Sequence, residues 1–148
     1  LLGPLPLDRT LELVRPIMRR YPWGLFVDGL GPVTSNDAYA PQGVWDAFRR
    51  DAYHSPTVVW GRDVNILLAG LALQARDATP GSNVSALRDA LHHTMNAVEQ
   101  SGLAHAELWS YRIEGGKLVP SRYGTSSDVQ LWSLTDLAVQ YLLDSSSR

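Results

Sequence analysis

Residues 51–74 read DAYHSPTVVWGRDVNILLAGLALQ, and the fold turns on how this stretch divides. Tyr53-His54-Ser55-Pro56-Thr57 is a compact polar and aromatic run. Val58-Val59-Trp60 favours an extended backbone, because β-branched and aromatic side chains lose rotamer freedom in a helix and pack well on a pleated surface. After Gly61 the preference reverses. Ile66-Leu67-Leu68-Ala69-Gly70-Leu71-Ala72-Leu73 leads to no charge until Arg76, and a helix apolar on most of its circumference belongs in a core. The run is well short of the roughly 20 residues that span a bilayer, so it predicts a buried helix fed by a loop. The small pair Ala69 and Gly70 predicts that another backbone approaches this helix closely.

Around this centre, 148 residues suit a single module, long enough to bury a sizeable core. A net charge of −2 leaves no basic footprint for nucleic acid and no polybasic anchor for a membrane. With no cysteine, disulfides and thiolate metal sites are excluded and the redox compartment stays open. The opening LLGPLPL lacks both the charged start and the length of a signal peptide, and a first residue other than methionine reads as a processed chain or a piece of a longer one. Asn83-Val84-Ser85 fits the N-glycosylation pattern, the one pointer to secretion; the cytoplasm remains open beside it. Five tryptophans and six tyrosines are many for this size, and aromatics in polar loops are what sugar-binding clefts use, although most tryptophans are ordinary core residues.

On the N-terminal side, Asp8 is placed to cap a helix through about Arg20, with Leu11, Val14, Ile17 and Met18 at helical spacing. Pro16 should kink or end it, since proline removes a donor and clashes with the preceding turn. Tyr21-Pro22-Trp23-Gly24 breaks the helix, Leu25-Phe26-Val27 reads as a short strand, and Gly29 and Gly31 as turns. Ser35-Asn36-Asp37, beside Tyr39, is a concentrated polar site whose plain reading is an Asx turn. Val44 to Arg50 makes a helical turn or two.

On the C-terminal side, Ala78-Thr79-Pro80-Gly81-Ser82 is a turn. A surface helix follows over about Ser85 to Gln100, its buried stripe Leu87, Leu91, Met95 and Val98. His92 and His93 are adjacent there and so point apart, a poor spacing for a shared metal. Gly102 stops the helix. Leu108 to Tyr123 predicts a hairpin turning at Gly115-Gly116, and a last helix runs from Asp128, its N-cap, to Leu143, burying Leu131, Leu134, Ala138, Tyr141 and Leu142. A helix apolar on two sides thus alternates with one apolar on a single side, as in a double-layered helical toroid.

Three segments resemble the C-terminal part of six-hairpin glycosidases, the (α/α)6 toroids of glucoamylase and glycogen-debranching glucosidase type. Tyr53-His54-Ser55-Pro56-Thr57-Val58-Val59-Trp60 is similar to that family's Tyr-His-x-Gly-x-Val-Trp loop, with Ser55-Pro56 in place of a small residue and glycine, and with Gly61-Arg62 following where Pro-Trp is frequent. Ala106-Glu107-Leu108-Trp109 is similar to its Pro-Glu-Leu-Phe segment, with alanine for proline. Gln130-Leu131-Trp132-Ser133 is similar to its Gln-Ala-Trp-Ser. The match covers about Asp51 to Leu143 in order, and the N-terminal third only loosely. The fold expected is mainly α: a partial (α/α)6 toroid of about four or five helices, with a short hairpin and long aromatic loops, roughly the last third of the complete ring.

Glycoside hydrolysis generally needs two carboxyl groups across the scissile bond. The resemblance makes Glu107 the general base that activates water, acting without metal or organic cofactor on an α-linked or otherwise exo-accessible glycoside. Its apolar and aromatic setting, Leu103, Leu108 and Trp109, suits a buried carboxylate. The competing reading is a structural carboxylate bonded to backbone amides or to Arg112. The general acid lies earlier in the family than the matched segments, and Asp37 is the internal candidate for it. Asn36, Tyr53 and His54 are candidate donors to sugar hydroxyls, and Trp60 or Trp109 a stacking surface, with core packing the alternative for Trp60. Gln130 and Trp132 brace the loop bearing Glu107. The expected partners are a carbohydrate and the remainder of the chain's own catalytic domain, without which the module should be inactive. A non-catalytic carbohydrate-binding or scaffold protein is the alternative from another class. An unrelated helical protein would fold instead as a closed, compact monomer.

Overall fold

The computed structural model describes residues 1–36, 38–48, 58–78, 82–124, 126–127 and 135–146. In chain order these form α1 (Leu7–Met18), β1 (Phe26–Val27), β2 (Gly31–Pro32), α2 (Gln42–Phe48), β3 (Val59–Trp60), α3 (Gly61–Asp77), α4 (Ser82–Ser101), β4 (Leu108–Glu114), β5 (Lys117–Arg122) and α5 (Thr135–Ser146). The architecture is mainly helical with two small antiparallel sheets, β1-β2 and β3-β4-β5.

α3 is the centre of the packing. It lies against α4 and α5, and α1 packs against α4. Val64, Leu67, Leu68, Leu71 and Ala75 are all buried, and each large aliphatic side chain withdrawn from water contributes about 1.5–3 kcal/mol. The close approach expected at Ala69-Gly70 is made by the N-terminal segment: a Cβ on Gly70 would stand 2.6 Å from the Cβ of Leu1. One turn further on, the buried Gln74 donates to the carbonyls of Leu1 at 2.8 Å and Gly3 at 2.6 Å and accepts from the Thr10 hydroxyl at 3.3 Å. A polar residue inside an apolar helix is thus satisfied by tying down the start of the chain.

The other helices follow their patterns with two corrections. α1 begins at Leu7 behind Pro6, so Asp8 sits within the first turn, where its charge complements the helix dipole, and makes no side-chain cap. The helix continues two residues past Pro16 before ending. α4 buries Leu87, Leu91 and Val98 as its spacing predicts, while Met95 of the same stripe is only partly covered, and Gly102, at φ +68°, ends it in the left-handed conformation that glycine adopts without strain. In α5 the buried stripe is Val139 with Leu142 and Leu143 partly covered, whereas Ala138 is exposed and Tyr141 is 74% exposed. The expectation for Ala138 and Tyr141 was out of phase by one position, an error that a short helix with apolar residues on several sides invites. Leu131, Leu134 and the cap Asp128 lie outside the described residues.

The hairpin forms as expected. Gly115 and Gly116 have φ of +56° and +78°, the positive pair that a two-residue turn matching strand twist requires. β5 is an edge strand and tolerates Pro120, which has no amide to donate.

Removing the core contact Leu71→Ala should cost about 2–5 kcal/mol, whereas Tyr141→Ala on the exposed face should stay within about 0.5 kcal/mol. Urea unfolding of both variants checks the burial order, and equal losses would contradict it.

Candidate functional site

The site is built where the extended step before α3 meets the start of β4. Val59 pairs with Trp109 and Trp60 with Leu108, so Trp60 and Leu108 project to one face of the sheet and Val59 and Trp109 to the other. At the junction the Gly61 amide donates to the carbonyl of Glu107 at 2.8 Å. A Cβ on Gly61 would stand 2.5 Å from the Ala106 carbonyl oxygen and 3.0 Å from the Trp109 ring. Glycine is therefore required for the backbone of residues 106–107 to lie against the N-terminal end of α3.

Glu107 is 4% exposed. Its own amide donates to the Ser127 carbonyl at 3.1 Å, and the Ser127 amide donates back to Glu107 Oε2 at 3.0 Å. Ser126 adds a third tie, its hydroxyl accepting from the Leu108 amide at 3.1 Å. The main chain of Glu107 is thus tied to the N-terminus of α3, and its carboxylate to the segment after the hairpin. Arg112, the alternative partner, has its Nε 3.2 Å from Glu114 on the exposed side of the hairpin.

The remaining candidates separate. Trp109 is 1% exposed and donates its indole N–H to the Leu30 carbonyl at 3.3 Å, linking β4 to the β1–β2 turn. No face of its ring is open to a sugar in this arrangement, so it is a core anchor. Trp60 is partly exposed, and the Arg62 guanidinium lies 5.4 Å from its ring centroid, within cation–π range. Its amide donates to the Thr34 hydroxyl at 3.2 Å. Asn36 donates to the carbonyls of Pro22 and Gly24 and accepts from the Ala38 amide at 3.1 Å. This is the Asx-turn reading, and the amide proposed for sugar binding is engaged with backbone. Asp37, Tyr53, His54, Gln130 and Trp132 lie outside the described residues.

His92 and His93 diverge as their adjacency requires: His93 stacks on Phe26 with ring centroids 4.4 Å apart, and His92 lines a different groove. Among the described residues no group of three His, Asp or Glu side chains could hold a metal ion. Ser126-Ser127, which holds Glu107, was missed by the sequence reading. Two serines after a hairpin carry no signal of their own, and their role depends on a contact 20 residues away.

No family model matches the chain, and comparison with curated proteins and with solved structures returns no significant match.

Glu107→Ala leaves the Ser127 amide without its carboxylate acceptor and should cost about 1–3 kcal/mol, whereas Glu107→Gln keeps an acceptor oxygen and should cost less. Urea unfolding of the two variants separates them. An Ala variant as stable as the parent would show that the carboxylate does not hold the 126–127 segment.

Proposed function

We propose that the chain is a glycoside hydrolase module, the C-terminal portion of an (α/α)6 catalytic domain, and that Glu107 is its general base. The observation that carries the proposal is a buried glutamate whose main chain is tied to the start of the most buried helix and whose carboxylate accepts from the Ser127 amide. Position and burial are what a base needs: it must stay in place while a water is deprotonated, and bulk solvent must not compete for it. The order of helices supports the same reading. α3 is covered on most sides, α4 has a single buried stripe, and α5 leaves Leu137 60% exposed beside Tyr141. Those exposed apolar side chains suit a helix that further helices of a ring would cover.

In the mechanism, water between Glu107 and the sugar gives a proton to the carboxylate as its oxygen bonds to the anomeric carbon. The bond to the leaving oxygen breaks on the opposite face, and that oxygen takes a proton from a second carboxyl group. The two carboxyls of such an enzyme stand about 6.5–9.5 Å apart, leaving room for the water. Asp37 is the internal candidate acid; an acid from the rest of the domain is the other source. Trp60, with Tyr53 and His54 preceding it in the sequence, would form part of the sugar-binding wall. The substrate class is an α-linked or other exo-accessible glycoside.

The bond from the Ser127 amide to Glu107 favours a second reading, in which the carboxylate is purely structural and the module binds carbohydrate or serves as scaffold without hydrolysis. Steady-state kinetics of the complete protein on aryl glycosides and α-glucans separate the two. As a general base, Glu107→Gln should lower kcat by about 10²–10⁴-fold with little change in KM. Unchanged kcat, with only stability altered, would assign Glu107 to the scaffold.

A further inference from the structure

At the opposite end of α3 from Glu107, a groove of about 280 Å³ opens between α3, α4 and α5. Arg76 and Gly61 are fifteen residues apart on one helix, or about 22 Å at 1.5 Å per residue, so this groove is remote from the candidate site. Its floor is apolar, formed by Leu91, Met95 and Leu143, and its rim carries Arg76, Arg88 and His92. Arg76 is engaged by Asp77, Nε to Oδ1 at 2.7 Å. Arg88 and His92 differ. They stand at i and i+4 on the exposed face of α4, and among the described residues neither side chain has a hydrogen bond or ion pair.

Two unpaired donors one helical turn apart face the same way. The guanidinium is always charged, and the imidazole offers an N–H in either protonation state. No acidic side chain lines the groove among the described residues; Asp77, which serves Arg76, lines the pocket beside residues 4–7, and Asp89 lines the separate groove between α1 and α4. Among the described residues the rim therefore has donors and positive charge without an acceptor lining it, above a floor that favours carbon.

We infer that this groove is a binding site for a small organic acid, its carboxylate held by Arg88 and His92 and its aliphatic body laid on Leu91, Met95 and Leu143. A volume of 280 Å³ has room for roughly nine water-sized groups at about 30 Å³ each, enough for a carboxylic acid of about six carbons. The site is separate from the glycosidase reading and does not depend on it.

Isothermal titration of the complete protein with hexanoate, hexanol and inorganic phosphate tests the site. Hexanoate should bind saturably with Kd on the order of 1 mM. Hexanol, which lacks the charge, and phosphate, which lacks the aliphatic body, should bind at least about tenfold more weakly. Arg88→Gln and His92→Gln should each weaken hexanoate by about tenfold without changing Tm, since both side chains are exposed and unpartnered. Hexanol binding as well as hexanoate, phosphate binding as well as hexanoate, no saturable binding, or variants that bind hexanoate like the parent would each overturn the inference.

Discussion

The arrangement depends on the contact between Gly61 and residues 106–107. Two chain segments more than forty residues apart meet there through one backbone hydrogen bond of 2.8 Å, at a separation that leaves no room for a side chain. The contact sets the start of α3, aligns β3 with β4, and with it the register that sends Trp109 into the core and Trp60 toward the surface. It also fixes the main chain of Glu107, so that the carboxylate's position is inherited from the helix rather than from a mobile loop. A proline at position 61 would remove the amide that makes this bond. The glycine is a local solution to a close approach.

Much of the fold was legible because it rests on local patterns. The switch from Val58-Val59-Trp60 to an uncharged apolar run marked the start of α3, the Leu87-Leu91-Val98 stripe marked α4, and the paired glycines marked the hairpin turn. These are signals of period, propensity and permitted φ, and each acts within a few residues. The last helix is out of phase with its sequence pattern because Ala138, Val139, Tyr141 and Leu142 offer two overlapping apolar stripes, and only the packing of α5 on α3, which buries Val139, chooses between them.

The candidate site was legible in part. Glu107 stood out because a carboxylate amid Leu103, Leu108 and Trp109 is unlike a solvated surface residue, and it is buried. The roles of its neighbours were not legible. Trp109 and Asn36 have side chains that suit sugar binding, but each finds a partner in distant backbone, Leu30 for the indole and Pro22 and Gly24 for the amide. Such partners are set by tertiary contacts. The same limit hid Gln74, whose bonds to Leu1 and Gly3 join positions 73 and 71 residues apart.

The most direct test of Glu107 as a water-activating base is the stereochemistry of the product. Hydrolysis of an aryl α-glucoside by the complete protein can be followed through the anomeric protons by NMR. Attack by a water that a base has activated on the face opposite the leaving group predicts that β-glucose appears first and mutarotates later. Initial release of α-glucose would instead require a covalent glycosyl-enzyme and a carboxylate acting as nucleophile, and would contradict the role given to Glu107.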